Sequence, residues 1–173
     1  MVVKRLAFLL ILFLFLAGCG IEDSIEDKYP RADIVYDQNG NESNVYRAFN
    51  TSVQSVSNEI RDIEEPQDMA EKDGNVMMLY DDFLVYIYPD INNSDVLIEV
   101  SDDDFIEDNY DSDHFHKYGV FKKTKKYYGI NNMTSGKYRG YIGESGKYVR
   151  NTGGFPSIRF GSMTRGGGPG VGK

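Results

Sequence analysis

A chain of 173 residues whose only cysteine is Cys19 holds no internal disulfide and no thiolate metal site, so its stability rests on packing. The length fits one domain. The net charge of −8 hides a division: residues 20–113 carry 26 acids and 5 bases, while 114–173 carry 1 acid and 12 bases, which marks two regions with different partners.

The chain opens with Lys4-Arg5, an apolar run of 11 residues from Leu6 to Leu16, and Leu16-Ala17-Gly18-Cys19. A basic start, a short apolar segment and small residues before a cut describe a secretory signal peptide over 1–18. A cysteine at the cut makes it a lipoprotein signal, cleaved between Gly18 and Cys19 with a diacylglyceryl group on the thiol. The run falls short of the roughly 20 residues that a spanning helix needs. The expected location is the extracytoplasmic face of a cell membrane, with Cys19 as the lipid anchor. Residues 19–28 read as an acidic tether.

Residues 29–110 read as a small α+β domain. Ile34-Val35-Tyr36 and Val45 to Phe49 predict two strands about the Asn39-Gly40 turn. Thr51 and Gln54 offer a capping box, and Val53, Val56, Ile60 and Ile63 share one helical face. Pro66 ends that helix. A helical turn is expected over Gln67–Lys72, closed by Asp73-Gly74. Val76–Tyr80 and Phe83–Tyr88 predict a hairpin about Asp81-Asp82, and their unbroken apolar character places them centrally in an antiparallel sheet. Val96–Val100 adds a third strand, and Phe105, Ile106 and Tyr110 a closing helical turn. The one main helix covers the sheet.

Residues 111–116 read as a polar junction. From 117 to 173 no leucine occurs and glycine and lysine abound, so little apolar area offsets ordering entropy. This segment is expected to be a largely disordered, basic Gly/Tyr/Lys-rich tail, with Ser135-Gly136-Lys137-Tyr138 recurring as Ser145-Gly146-Lys147-Tyr148.

Four features bear on chemistry. Gly167 to Gly172-Lys173 matches part of a phosphate loop, but no following helix or Ser/Thr completes it. His114 and His116, on one strand face with Asp111 and Asp113, are candidate ligands for zinc or a similar ion. The polar-junction reading is preferred, and no metal or cofactor is assigned. Asp102, Asp103, Asp104, Glu107 and Asp108 lack the EF-hand spacing and read as a solvated acidic face. Lys122, Lys123, Lys125, Lys126, Lys137, Arg139, Lys147 and Arg150, interleaved with aromatics, form the best lead: an anion-binding tail. Arg159 and Arg165 continue the charge. Outside the cell the anions are wall polymers and lipid headgroups, so no nucleic acid is expected. Without a nucleophile–base motif, no enzyme activity is expected.

Leu16-Ala17-Gly18-Cys19, Val45-Tyr46-Arg47-Ala48, Leu79-Tyr80, Asn109-Tyr110-Asp111 and Arg165-Gly166-Gly167-Gly168-Pro169-Gly170 resemble a group of small, uncharacterised, Bacillus-like lipoproteins of Gram-positive bacteria, known only as a domain of unknown function. The resemblance implies a membrane under a cell wall and brings no catalytic residues. The expected role is a non-enzymatic envelope interaction protein whose tail contacts anionic wall polymer or lipid. The alternatives are an accessory subunit that binds an envelope protein through its α+β domain, and a divalent-metal-binding protein.

Overall fold

The computed structural model describes residues 20–130, 133 and 136–142 and the backbone of 157–159. In chain order the elements are α1 (Ile21–Lys28), β1 (Arg31–Tyr36), β2 (Glu42–Ala48), α2 (Val53–Ile63), β3 (Asp68–Lys72), β4 (Asn75–Leu79), β5 (Phe83–Pro89), β6 (Val96–Asp102), α3 (Asp103–Asn109), α4 (Ser112–Tyr118), α5 (Phe121–Tyr128) and the short β7 (Ser157–Arg159). The fold is α+β. One antiparallel sheet runs in the order β3-β4-β5-β6-β2-β1-β7.

Side chains alternate across a strand, and here both faces are covered. One face buries Val76, Met78, Val85, Ile87, Ile98 and Val100 beneath α1 and α2. The other buries Met77, Leu79, Leu84, Tyr86, Tyr88 and Leu97 beneath the segment from α3 onward. Coverage on both faces explains why β4 and β5 read as continuous apolar runs.

Four expectations are corrected. The acidic tether is in fact the helix α1. Ile21 and Ile25, one turn apart, are buried at 3% and 0% exposure, while Glu22 and Asp23 near its start and Lys28 at its end suit the helix dipole. The helical turn at 67–72 is the edge strand β3. Asp73 and Gly74 have φ of 54° and 78°, and they connect Lys72 to Asn75 as the two-residue, positive-φ loop that matches strand twist. The cap of α2 is Ser52, whose hydroxyl accepts from the Ser55 N–H at 3.1 Å, and Gln54 turns instead to Asn58. On that helix Val56 and Ile60 are buried, whereas Ile63 is 43% exposed.

The fourth correction moves the domain boundary. The folded unit does not end at 110. Residues 111–116 lie largely in α4, and Val120, Thr124, Ile130, Tyr138 and Tyr141 are buried beyond it. Gly119, at φ 73°, closes α4: its N–H reaches the His116 carbonyl and that of Val120 the Phe115 carbonyl. The second half of the Ser-Gly-Lys-Tyr repeat and the Gly167–Lys173 match lie outside the described residues.

Candidate functional site

The charge division is partly settled within the molecule. Lys117 pairs with Asp73 at 2.7 Å, Lys123 with Asp68 at 2.5 Å, and Arg139 with Asp111 at 2.6 Å. Each joins a base of the C-terminal region to an acid of the N-terminal region. Arg47 lies between Asp90 and Asp95.

Lys122, Lys125 and Lys126 differ. Spacings of three and one residues put them on one side of α5, and all three are exposed. The opposite side holds the helix down: Thr124 is 1% exposed, and Phe121, Tyr127 and Tyr128 pack against the core. Among the described residues no carboxylate pairs with these three lysines. Lys126 Nζ lies 4.8 Å from the Tyr127 ring centre. The helix thus presents three cations with an aromatic neighbour. Lys137 is also exposed, Arg139 is engaged by Asp111, and the Lys147 and Arg150 expectation lies outside the described residues.

What holds this segment down is Glu99 on β6, fully buried without a cationic partner among the described residues. Its Oε1 accepts from Ser43 Oγ at 2.8 Å, Tyr138 Oη at 2.5 Å and Tyr110 Oη at 3.3 Å. Its Oε2 accepts from Tyr88 Oη at 2.8 Å and the Tyr141 N–H at 3.0 Å. A buried carboxylate is tolerated only when its lone pairs are filled, and five donors fill them. Burial first, then the negative charge of Glu99, pushes the Tyr88, Tyr110 and Tyr138 hydroxyls well above their ordinary range, so they stay protonated donors. A Cβ at Gly140, where φ is 107°, would sit 3.0 Å from the Tyr86 ring. Sealed from water, this carboxylate is a clasp: three of its five donors come from Tyr110, Tyr138 and Tyr141. Sequence reasoning missed it. The available signal was one glutamate within the apolar run Val96–Val100 of β6.

The histidine pair is not brought together. The residues lie on a helix and not on a strand, so positions two apart diverge by about 200°. His114 is buried, with its ring centre 5.5 Å from that of Tyr86 and 5.1 Å from that of Tyr118. Burial first, then Arg139 and Lys117, lowers its pKa to about 4. Its Nε2 has no hydrogen-bond partner among the described residues. His116 stacks on Phe121 at 4.0 Å. Asp111 goes to Arg139 and accepts from the Asp113 N–H. Among the described residues no three of His, Cys, Asp and Glu converge on a possible ion. The acidic cluster has local roles as well: Asp102 caps α3 through the Phe105 N–H, and Asp108 accepts from Asn39.

At the far end of the sheet a cleft of about 460 Å³ opens between Thr51–Gln54 and Asn93–Val96. The loops flanking it carry Phe49 and Ile91, exposed at 61% and 47%. Sequence reasoning named no residue there.

Fold and site together define a small α+β protein with a clasped C-terminal segment and a cationic helix. The chain belongs to the family described as Domain of unknown function (DUF4247), whose model matches residues 10–169. No curated protein and no solved structure matches it. Among the described residues no helix is long and apolar enough to cross a membrane.

Proposed function

We propose that this chain is an extracytoplasmic lipoprotein, anchored through Cys19, with a non-enzymatic interaction role in the cell envelope. The observation that carries the reading is the Lys122–Lys125–Lys126 face: three exposed cations left over where Lys117, Lys123 and Arg139 are neutralised in cis. The signal sequence supports the location. Cosedimentation of the mature protein with purified cell wall, intact and stripped of anionic polymer, tests the role. Binding should vanish with stripping and with added salt, because contacts between exposed charges are screened. Retained binding to stripped wall contradicts the reading. Truncation at 117 is unsuitable, because it would remove Tyr138 and Tyr141 from the clasp, so point substitutions are required.

A second reading has its own support. Exposed Phe49 and Ile91 beside the cleft suit a protein partner in a membrane complex. Cross-linking that survives high salt and is lost in Phe49→Ser would favour it.

A further inference from the structure

Two helices of opposite exposed charge, α1 and α5, cover opposite faces of the sheet. α1 follows Cys19 by one intervening residue and packs on one face through Ile21 and Ile25. Its outer surface shows Asp23 and Asp27, both exposed, and Glu26, which pairs with Arg31. α5 packs on the opposite face through Phe121, Tyr127 and Tyr128, and its outer surface shows Lys122, Lys125 and Lys126. We infer that the lysine face takes a linear polyanion on the side away from the lipid, and not the membrane surface itself.

The direction of the membrane rests on the lipoprotein reading above; the rest follows from geometry. Residues 19 and 20 span at most about 7 Å when extended. With α1 docked on the sheet and one residue between it and the anchor, the start of α1 stays beside the headgroups. A helix is about 10 Å across, and strand side chains must also be crossed, so the lysines stand about 20 Å further out. That exceeds twice the screening length of about 8 Å at physiological salt. The acids of α1 oppose close contact with anionic lipid, while the lysines on the far layer face outward.

The shape of the face selects a polymer over a small anion. The lysines lie on the exposed face of a helix, outside the cleft at Thr51–Gln54, and spread over about 6 Å of helix rise. One exposed ion pair contributes less than about 1 kcal/mol, so a single phosphate gains little. A chain of linked phosphates meets all three lysines while losing its freedom once.

The test uses the whole mature chain with Cys19→Ser, so that lipid takes no part. Binding is measured to long-chain inorganic polyphosphate and, separately, to vesicles of equimolar phosphatidylglycerol and phosphatidylcholine. Polyphosphate should bind, and weaken about tenfold between about 50 and 200 mM salt through counterion release. The variant K122E/K125E/K126E should lose at least tenfold with an unchanged thermal midpoint, and K122R/K125R/K126R should retain binding. Preference for vesicles, or undiminished polyphosphate binding by the glutamate variant, overturns the inference. Mass spectrometry of Cys19 from membranes tests the lipoprotein reading separately: an unacylated cysteine removes the argument for orientation and leaves the polymer result standing.

Discussion

The two faces of the sheet are stabilised by different means. Beneath α1 and α2 the core is mainly aliphatic, with Val85, Ile87, Ile98 and Val100 against Ile25, Val56 and Ile60, beside Tyr29, Tyr46 and Tyr80. Such burial is non-directional and tolerates change of shape. Beneath 103–142 the core is aromatic and built on one carboxylate. Tyr88, Tyr110 and Tyr138 supply apolar area and also hydroxyls aimed at Glu99. The difference shows how a leucine-free, glycine-rich segment folds: directed hydrogen bonds to a buried charge offset what sparse aliphatic area does not.

This contrast can be broken. Glu99→Ala removes the shared acceptor of four buried hydroxyls and one N–H, of which Ser43 keeps Ser101 and the Tyr141 N–H keeps Tyr88 Oη, and should cost about 4 kcal/mol by denaturant unfolding. On the other face Ile98→Val should cost about 1 kcal/mol. Similar small losses for both would refute a special role for the carboxylate.

Lowering the pH should strain the aromatic face next. His114 has a folded pKa of about 4 against about 6.5 unfolded, so the unfolded chain binds the extra proton between those values. Its contribution is therefore present above pH 6.5 and lost as pH falls, at about 1.4 kcal/mol per pH unit, until about pH 4. The groups facing it are Arg139, Lys117 and Asp111. Chemical denaturation of wild type and His114→Phe across this range isolates the slope, which should be shallower in the variant.

Gly140→Ala should cost about 2 kcal/mol, since alanine at φ 107° is strained and its methyl meets the Tyr86 ring. Tyr138→Phe should cost a similar amount, about 2 kcal/mol, by removing one hydrogen bond to a charged group. At the small end, Lys117→Ala breaks an exposed pair with Asp73 and should leave the unfolding midpoint unchanged.

How much of this was legible in the sequence depends on the physical signal each element carries. The α+β class, the hairpin about Asp81-Asp82, β6 and α2 follow from apolar periodicity, because these elements are held by burial. β3 was obscured because its alternation is weak and half-exposed, although Asp73-Gly74 is itself a hairpin signal. α1 was obscured by acidity, which outweighed Ile21 and Ile25 at one-turn spacing. The lysines of α5 are legible in the sequence only as a run of cations. Their sorting into paired Lys123 and exposed Lys122, Lys125 and Lys126 needed the helix and Asp68, 55 residues away from Lys123. The glutamate of the clasp stands out within the apolar run of β6, but its donors lie up to 56 residues away and no local pattern names them.

Tyr138 and Tyr141 belong to the folded unit and are held there by Glu99. Hydrogen exchange of the Tyr141 amide, which donates to Glu99 Oε2 and to the Tyr88 Oη that Glu99 itself holds in place, is the decisive measurement. Protection comparable to that of the β6 amides, and its loss in Glu99→Ala, is the predicted result. Exchange at the rate of an open chain in the wild-type protein would contradict it.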